Sequence, residues 1–367
     1  MSVENPSASS ASSEPEQKLA CEGLWMLFGK DPVGFLEKHG GAPTADDCKR
    51  EGMIAAVRNV SLAVHTGEIQ VVMGLSGSGK STLIRCLTRL LQPTGGSVLF
   101  AGQEIAKLPE SELNSLRRYR MGMVFQDFGL LPNRTVLENV AFPLEVQGLE
   151  RRQRYERAQE KIDLVGLSGR EHYYPRELSG GQQQRVGVAR SLIIEPEVWF
   201  LDEPFSALDP LIRRDMQDEF LRIQSLLHKS IVFITHDFDE AIRVGDRIAI
   251  MRDGEVVQNA TPEQILADPA DDYVRQFTRH APRGAVMRVR SIMDAHAEPG
   301  ISGGGAPDDR AAISADASLD SVASHVFSSA HDRFAVVDTE GRPAGELRRA
   351  ALLHALFGNA AATATVG

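Results

Sequence analysis

The 367-residue sequence contains only three cysteines, Cys21, Cys48 and Cys86. Their odd number and their spacings match no metal-binding or redox motif, which argues against a disulfide-built scaffold and for a reducing, cytosolic compartment. No apolar run reaches the roughly 18 residues that a membrane-spanning helix needs, so any work at a membrane is expected to go through a partner, from the cytosolic side. The opening stretch, MSVENPSASSASSEPEQ, lacks the basic start and apolar core of a secretory signal. Its Ser, Pro, Glu and Ala content predicts a disordered tail over 1–18. Excess positive charge is missing too. There are 50 Asp and Glu against 40 Lys and Arg, a net charge of −10, and no nucleic acid is expected among the partners. What remains is ordinary for a globular protein, with 42% apolar and 25% charged residues. The length suggests more than one domain.

Along the chain, residues 33–52 predict a short helical insertion between two strands. Strand character resumes at Ile54, with a turn at Thr66-Gly67. Ile69 to Met73 is a short apolar strand, followed by a glycine-rich loop and a helix from about Lys80 to Leu91. This order opens an α/β nucleotide-binding fold. Dense charge at helical spacing in RRQRYERAQEKIDLVGL places a helical subdomain at about 127–195, set into the α/β core. Val198–Leu201 and Ile231–Thr235 suit buried parallel strands, which present ligand-binding residues at their carboxyl ends. Residues 246–257 predict a hairpin turning at Asp253-Gly254. The nucleotide-binding domain is expected over 19–280. A flexible linker follows over 281–310, and a small α+β domain over 311–367.

Gly74-Leu75-Ser76-Gly77-Ser78-Gly79-Lys80-Ser81 fits G-x-x-x-x-G-K-[ST] and falls between a predicted strand and a predicted helix, as a phosphate-binding loop requires. Glycines let the backbone wrap closely around phosphates, and the following helix adds the positive end of its dipole. Lys80 places a charge on the β- and γ-phosphates of ATP. Ser81 offers a hydroxyl to Mg²⁺, and Thr82 reaches the α-phosphate. The strand Val198–Leu201 runs into Asp202 and Glu203. On its own this would be a solvated acidic turn. Beside a phosphate loop, Asp202 becomes a Mg²⁺ holder, acting through water, and Glu203 the general base for the attacking water. His236 closes the strand IVFIT, beside Asp202 and within reach of a γ-phosphate. Gln126 follows the run MGMVF, and its amide can touch metal, water or phosphate.

Leu178-Ser179-Gly180-Gly181-Gln182, followed by QQRVGVARSL, resembles the LSGGQ signature of ABC ATPases. The chain order of phosphate loop, Gln126, signature, Asp202-Glu203, Ser206-Ala207-Leu208-Asp209 and His236 is that of the family, and the resemblance covers about residues 20–280. It implies a homodimer with two ATP molecules buried between protomers. Ser179, Gly180, Gly181 and Gln182 of one protomer would face the γ-phosphate held by the other, at a helix N-terminus that is itself an anion site. Asp209 would lie at the dimer interface, and Phe28, in WMLFG, would stack on adenine.

FGKDP with the inserted helix, VMGLSGSGKST, MVFQDFGLLPNRTVLENVAF, EPFSALDPLIRRDMQDE and ITHDFDEAIRVGDRIAIMRDGEVVQNATPEQIL look like the quaternary-amine importer ATPases, closely the glycine betaine/proline betaine importer family. The resemblance implies a separate integral-membrane permease, a periplasmic or membrane-tethered solute-binding protein, a peripheral place on the cytoplasmic face, and a cargo such as glycine betaine, proline betaine, choline or carnitine, with another small polar solute such as an amino acid or polyamine as the alternative cargo and a non-transport ABC ATPase as the alternative class. Residues 311–358 look like a CBS module, a βαββα regulatory unit. The family's usual form carries two, and only VRSIMD (289–294) could be a remnant of another. From Val286 onward ten acidic residues face seven arginines, against a polybasic membrane sensor.

Overall fold

The computed structural model describes residues 16–279, 281–295 and 312–357. The expected tail falls outside these residues up to position 15, as do 296–310 of the expected linker and, from the expected C-terminal domain, Ala311 and the last ten residues. Contacts cluster the chain into two units, one holding the residues up to His236 together with Met251–Val256, the other Asp237–Ile250 and everything from Val257 on.

The first unit begins with β1 (Gln17–Phe28), α1 (Pro32–Lys38), α2 (Ala45–Arg50), β2 (Ile54–His65), β3 (Ile69–Met73), α3 (Lys80–Leu87), β4 (Gly95–Phe100) and β5 (Gln103–Glu104). It continues with α4 (Glu110–Tyr119), β6 (Met121–Val124), α5 (Val136–Val146), α6 (Arg151–Leu164), α7 (Gly180–Leu192), β7 (Val198–Asp202), α8 (Pro210–Leu227) and β8 (Ser230–Thr235). β2, β1, β4 and β5 form an antiparallel sheet in that order. β3, β8, β7 and β6 run parallel to one another in that order. Every residue of β3, β7 and β8 is buried, as parallel strands covered on both faces must be. Trp199, Phe205, Phe220 and Phe233 pack ring against ring, with centroids 5.7–6.2 Å apart.

The insertion between β1 and β2 is two short helices. Asp31 caps α1 by accepting from Gly34 N, and Thr44 and Asp47 cap α2 reciprocally. Phe35, Leu36 and Cys48 bury themselves against Trp25, Leu27 and Met53, a small core of the insertion's own. α3 ends at Leu87, short of the Leu91 expected. Arg89 adopts φ +57° and Leu91 N donates back to Arg85 O (2.9 Å), a left-handed C-terminal turn that stops the helix, while the Arg117 guanidinium donates to the carbonyls of Thr88 and Arg89 beyond it. α5, α6 and α7 pack against one another. α5 starts from a Thr135–Glu138 capping box.

The chain goes on through α9 (Phe238–Val244), the hairpin β9 (Arg247–Arg252) and β10 (Glu255–Ala260), and the helices α10 (Pro262–Ala267), α11 (Asp272–Thr278) and α12 (Arg283–Val286). The hairpin turns at Asp253-Gly254, both left-handed at φ +50° and +85°. β11 (Ile313–Ser314), α13 (Leu319–Ser328), β12 (Arg333–Val337), β13 (Pro343–Arg348) and α14 (Arg349–Phe357) follow. β12 pairs parallel with β11 and antiparallel with β13.

The segment from 281, predicted as a linker, is bound to this small sheet as far as it is described. Val289 N donates to Ala317 O (3.0 Å) and Arg290 N to Ala315 O (2.9 Å). Asp294 and Glu346 exchange backbone bonds of 2.9 and 3.1 Å. Gly345 permits that approach, since a Cβ there would lie 2.5 Å from Asp294 O. VRSIMD is therefore hydrogen-bonded to the same small sheet. No helix among the described residues is long and apolar enough to cross a membrane.

Candidate nucleotide site

Strand register levels the carboxyl ends of the parallel strands. Val72 and Asp202 both flank Ile234, Met73 lies beside Thr235, and Val124 lies beside Leu201. Each strand therefore releases its site residue at one end of the sheet: Gly74 after β3, His236 after β8, Glu203 after β7, and Gln126 two residues past β6. Gln126 is exposed there.

The loop after β3 needs its glycines for two reasons. Gly74 and Gly79 have φ +155° and +102°, and a Cβ on them would come within 2.3 Å of Met251 O and 2.1 Å of Ala56 O. At Gly77, with φ +82°, a Cβ would meet nothing within 4 Å, so only its backbone conformation calls for glycine. Ser76 is exposed, whereas Ser78 is buried and serves the loop itself. Its N–H donates to Leu75 O (3.2 Å), and its carbonyl accepts from Gly254 N (3.1 Å). Gly79 is the N-cap of α3, and no side chain caps that helix. A helix N-terminus without a side-chain cap, reached through a glycine loop, suits a phosphate group.

Lys80 is buried. Its Nζ donates to the carbonyls of Gly74 (2.8 Å) and Leu75 (3.0 Å), folding the ammonium back over the loop. Burial pulls its pKa below the ordinary lysine value, against the attraction of Glu203 and Asp202. Asp202 ends β7 almost fully buried, and desolvation raises its pKa, partly offset by the Ser81 hydroxyl, which donates to its Oδ1 at 3.2 Å. A hydroxyl and a carboxylate oxygen side by side are the hard donors Mg²⁺ takes when phosphate and water complete its shell. Thr82 lies half-buried one residue further along α3.

Glu203 leaves β7 in the left-handed region, φ +45°, with its N–H held by Ile234 O at 3.0 Å. This turn sets its carboxylate against His236, whose Nδ1 is 3.1 Å from Oε2. With a proton on Nδ1, the ring donates to the carboxylate and fixes its direction. The structure thus joins Ser81 with Asp202 and Glu203 with His236, bringing three separate segments of the chain together. Phe28 ends β1 opposite Ile54, is 41% exposed, and so is no core aromatic. Two residues beyond Ile54, the Ala56 carbonyl abuts Gly79.

The signature residues belong to a second helix start. Ser179 caps α7, accepting from Gln182 N at 3.4 Å, while Gln182 Oε1 accepts from Ser179 N at 3.0 Å. Gly180 and Gly181 lie between them. A Cβ on Gly181 would come 2.7 Å from the Ile212 side chain, so the glycine lets α7 close on α8. Asp209 is an exposed N-cap of α8, accepting from Ile212 N at 3.2 Å. The reciprocal cap at Ser179 goes beyond the sequence reading, although its S-x-x-Q pattern carries the signal.

Residues 57–206 match the sequence profile of the ABC transporter family. The trimethylamine N-oxide transport system ATP-binding protein of Ruegeria pomeroyi is 54% identical over 339 residues, 92% of this chain and 97% of that one. The chain belongs to the ABC transporter ATP-binding proteins of the quaternary-amine importer family. Within that family, the glycine betaine/proline betaine transport ATP-binding protein of Salmonella typhimurium is 49% identical over 278 residues, 75% of this chain and 69% of that one. An ATP-binding cassette solved as a dimer in a post-hydrolysis state with ADP and Pi is 32% identical, with a TM-score of 0.56 over 66% of this chain and 98% of its own. As an ABC ATPase, this chain carries the P-loop α/β fold, and its nucleotide chemistry is ATP hydrolysis.

Proposed function

We propose that this ABC ATPase powers import of a small methylated amine, with trimethylamine N-oxide as the first cargo to test. The observation that carries the choice of cargo is coverage. Similarity to the trimethylamine N-oxide protein runs over 97% of its length, tail included, whereas similarity to the glycine betaine/proline betaine protein stops at 69%. Glycine betaine is the second reading, supported by 49% identity across the ATPase region. The solute would meet only the partners, an integral-membrane permease and a solute-binding protein. This chain would sit peripherally on the cytoplasmic face.

Chemically, Lys80 and the loop N–H groups hold the β- and γ-phosphates, and Phe28 stacks on the base. Ser81 and Asp202, joined by Gln126 from the loop after β6, are the residues that would hold Mg²⁺, which would supply charge neutralisation on the phosphate oxygens. Glu203, oriented by His236, accepts the proton of the attacking water. Ser179 to Gln182 of a second copy close over the γ-phosphate, with Asp209 beside the seam. The β-α-β-β-α order from Ile313 to Phe357 supports a single CBS-like module. Such a module would regulate by pairing with that of the second copy.

The test is ATP hydrolysis by the complex copurified with its permease, placed in liposomes with the solute-binding protein. Stimulation by trimethylamine N-oxide but not by glycine betaine is expected. Stimulation by glycine betaine alone would hand the assignment to the second reading, and indifference to both would remove the methylated-amine cargo.

A further inference from the structure

In the proposed dimer, on which this inference rests, the signature must meet a nucleotide held by another copy. Its own position on α7 therefore has to be fixed by something other than that nucleotide. The Gly181–Ile212 contact sets how closely α7 approaches α8, and the far end of α7 is tied down by Arg190, which donates to the Phe128 and Gly129 carbonyls, and by Ser191, which accepts from Trp199 Nε1, so what remains to be held is the end that carries the signature.

One turn beyond Gly181, on the same face of α7, stands Arg185. Its Nη1 donates to the carbonyl of Val165, the C-cap residue just past α6, at 2.7 Å. From α8, Arg222 Nη2 donates to the preceding carbonyl, Leu164 O, at 2.6 Å. Between the two guanidiniums lies Glu219, bonded through both oxygens to Arg222 at 2.8 and 2.9 Å and 3.9 Å from Arg185 Nη1. The Arg222 guanidinium holds the Glu219 carboxyl below its ordinary pKa, so it stays ionised. Gly166, left-handed at φ +68°, turns the chain away at once, and a Cβ there would come 3.0 Å from Arg185 Nη1. The carbonyl end of α6 carries the negative pole of the helix dipole, and two cations occupy it. Gly166 and Arg185 line the same cavity as Ser179 and Gln182.

We infer that Arg185 is a positioning residue for the signature. It ties α7 to the C-terminus of α6 and, through Glu219 and Arg222, to α8, so that Ser179–Gln182 are presented in a fixed place to the other copy's nucleotide. The geometry separates this role from nucleotide binding in the same chain, because no residue of the cluster lies in the phosphate loop or on the ends of the parallel strands.

The experiment uses the full chain carrying Glu203→Gln, with ATP-driven pairing followed by sedimentation and nucleotide affinity measured at low protein concentration. Adding Arg185→Ala should weaken pairing roughly tenfold while leaving nucleotide affinity within about twofold and the melting transition cooperative. Arg185→Lys keeps a cation but loses the planar fork, and should recover part of the pairing. Glu219→Gln leaves both arginines on their carbonyls and should give the same loss in smaller degree. Unchanged pairing in the alanine variant overturns the proposal. So does a parallel loss of pairing and nucleotide affinity, which would mark Arg185 as general scaffolding. If the Arg185-intact parent does not pair with ATP, the composite-site reading fails first and takes this inference with it.

Discussion

Two helices of this protein begin with glycine-bearing motifs suited to phosphate, and they begin differently. α3 starts at Gly79 with no side-chain cap, so its first N–H groups face whatever the loop encloses. α7 starts at Ser179 with a closed reciprocal cap, in which Ser179 and Gln182 satisfy each other's N–H groups. The first terminus leaves its N–H groups open to a phosphate. The second is stable by itself, and a phosphate must compete with a cap worth about 1 kcal/mol. That asymmetry fits a division of labour in which the phosphate loop binds ATP in a single chain and the signature engages only when a second chain brings a phosphate to it.

The largest expected effect falls on the uncapped terminus. Lys80→Ala removes its buried cation and should weaken ATP binding roughly 100-fold or more, measured by titration with a fluorescent nucleotide. Glu203→Gln spares binding, since the amide keeps its size and its place beside His236. It should lower turnover about 100-fold or more at unchanged nucleotide affinity, and full turnover would remove Glu203 as the base. Substitutions at the capped terminus should behave oppositely to Lys80→Ala. Ser179→Arg should abolish hydrolysis while leaving ATP binding by the single chain nearly intact. Ser179→Ala should cost about 1 kcal/mol of stability through the lost cap. Strong loss of single-chain binding in either variant would erase the contrast.

The smallest effect is thermodynamic. Burial raises the pKa of Asp202, so the folded state holds its proton more tightly than the unfolded chain does. Its ionised form therefore costs stability above the folded pKa, and that cost disappears as pH falls through this value toward the ordinary carboxylate range. Asp202→Asn should raise the melting midpoint near neutral pH by roughly 2–4 °C, equivalent to about 1 kcal/mol, with the gain shrinking in acid.

Much of the candidate nucleotide site was legible because its demands are local. A loop around phosphate needs glycines at left-handed positions and a lysine at a fixed offset, and an apolar strand ending in Asp-Glu can be read from a few consecutive letters. The hairpin at Asp253-Gly254 was legible for the same reason. The end of α3 was not, because it turns on a left-handed Arg89, for which a non-glycine residue gives no warning, and the Arg117 guanidinium that takes the Arg89 carbonyl lies 28 residues further on. Nor was the place of VRSIMD, whose partners at Ala315, Ala317 and Glu346 lie across residues 296–311. The pairing of Glu203 with His236 spans 33 residues and depends on the left-handed turn at Glu203, for which a non-glycine residue gives no warning. Arg185, Glu219 and Arg222 have the spacing of solvated helix charges, and only the tertiary arrangement brings them to the end of α6.

The most direct test of a site shared between two chains is a mixing experiment in the Glu203→Gln background, reading labelled ATP retained after rapid desalting. Chains with Lys80→Ala lack a competent phosphate loop but keep a sound signature, and chains with Ser179→Arg have the reverse. Neither alone should retain nucleotide. Mixed, they can form one intact site from the Lys80 of one chain and the Ser179 of the other, and the mixture should retain ATP. If the mixture retains no more than its separate components, loop and signature of the same chain must act together, and a site shared between two chains is ruled out.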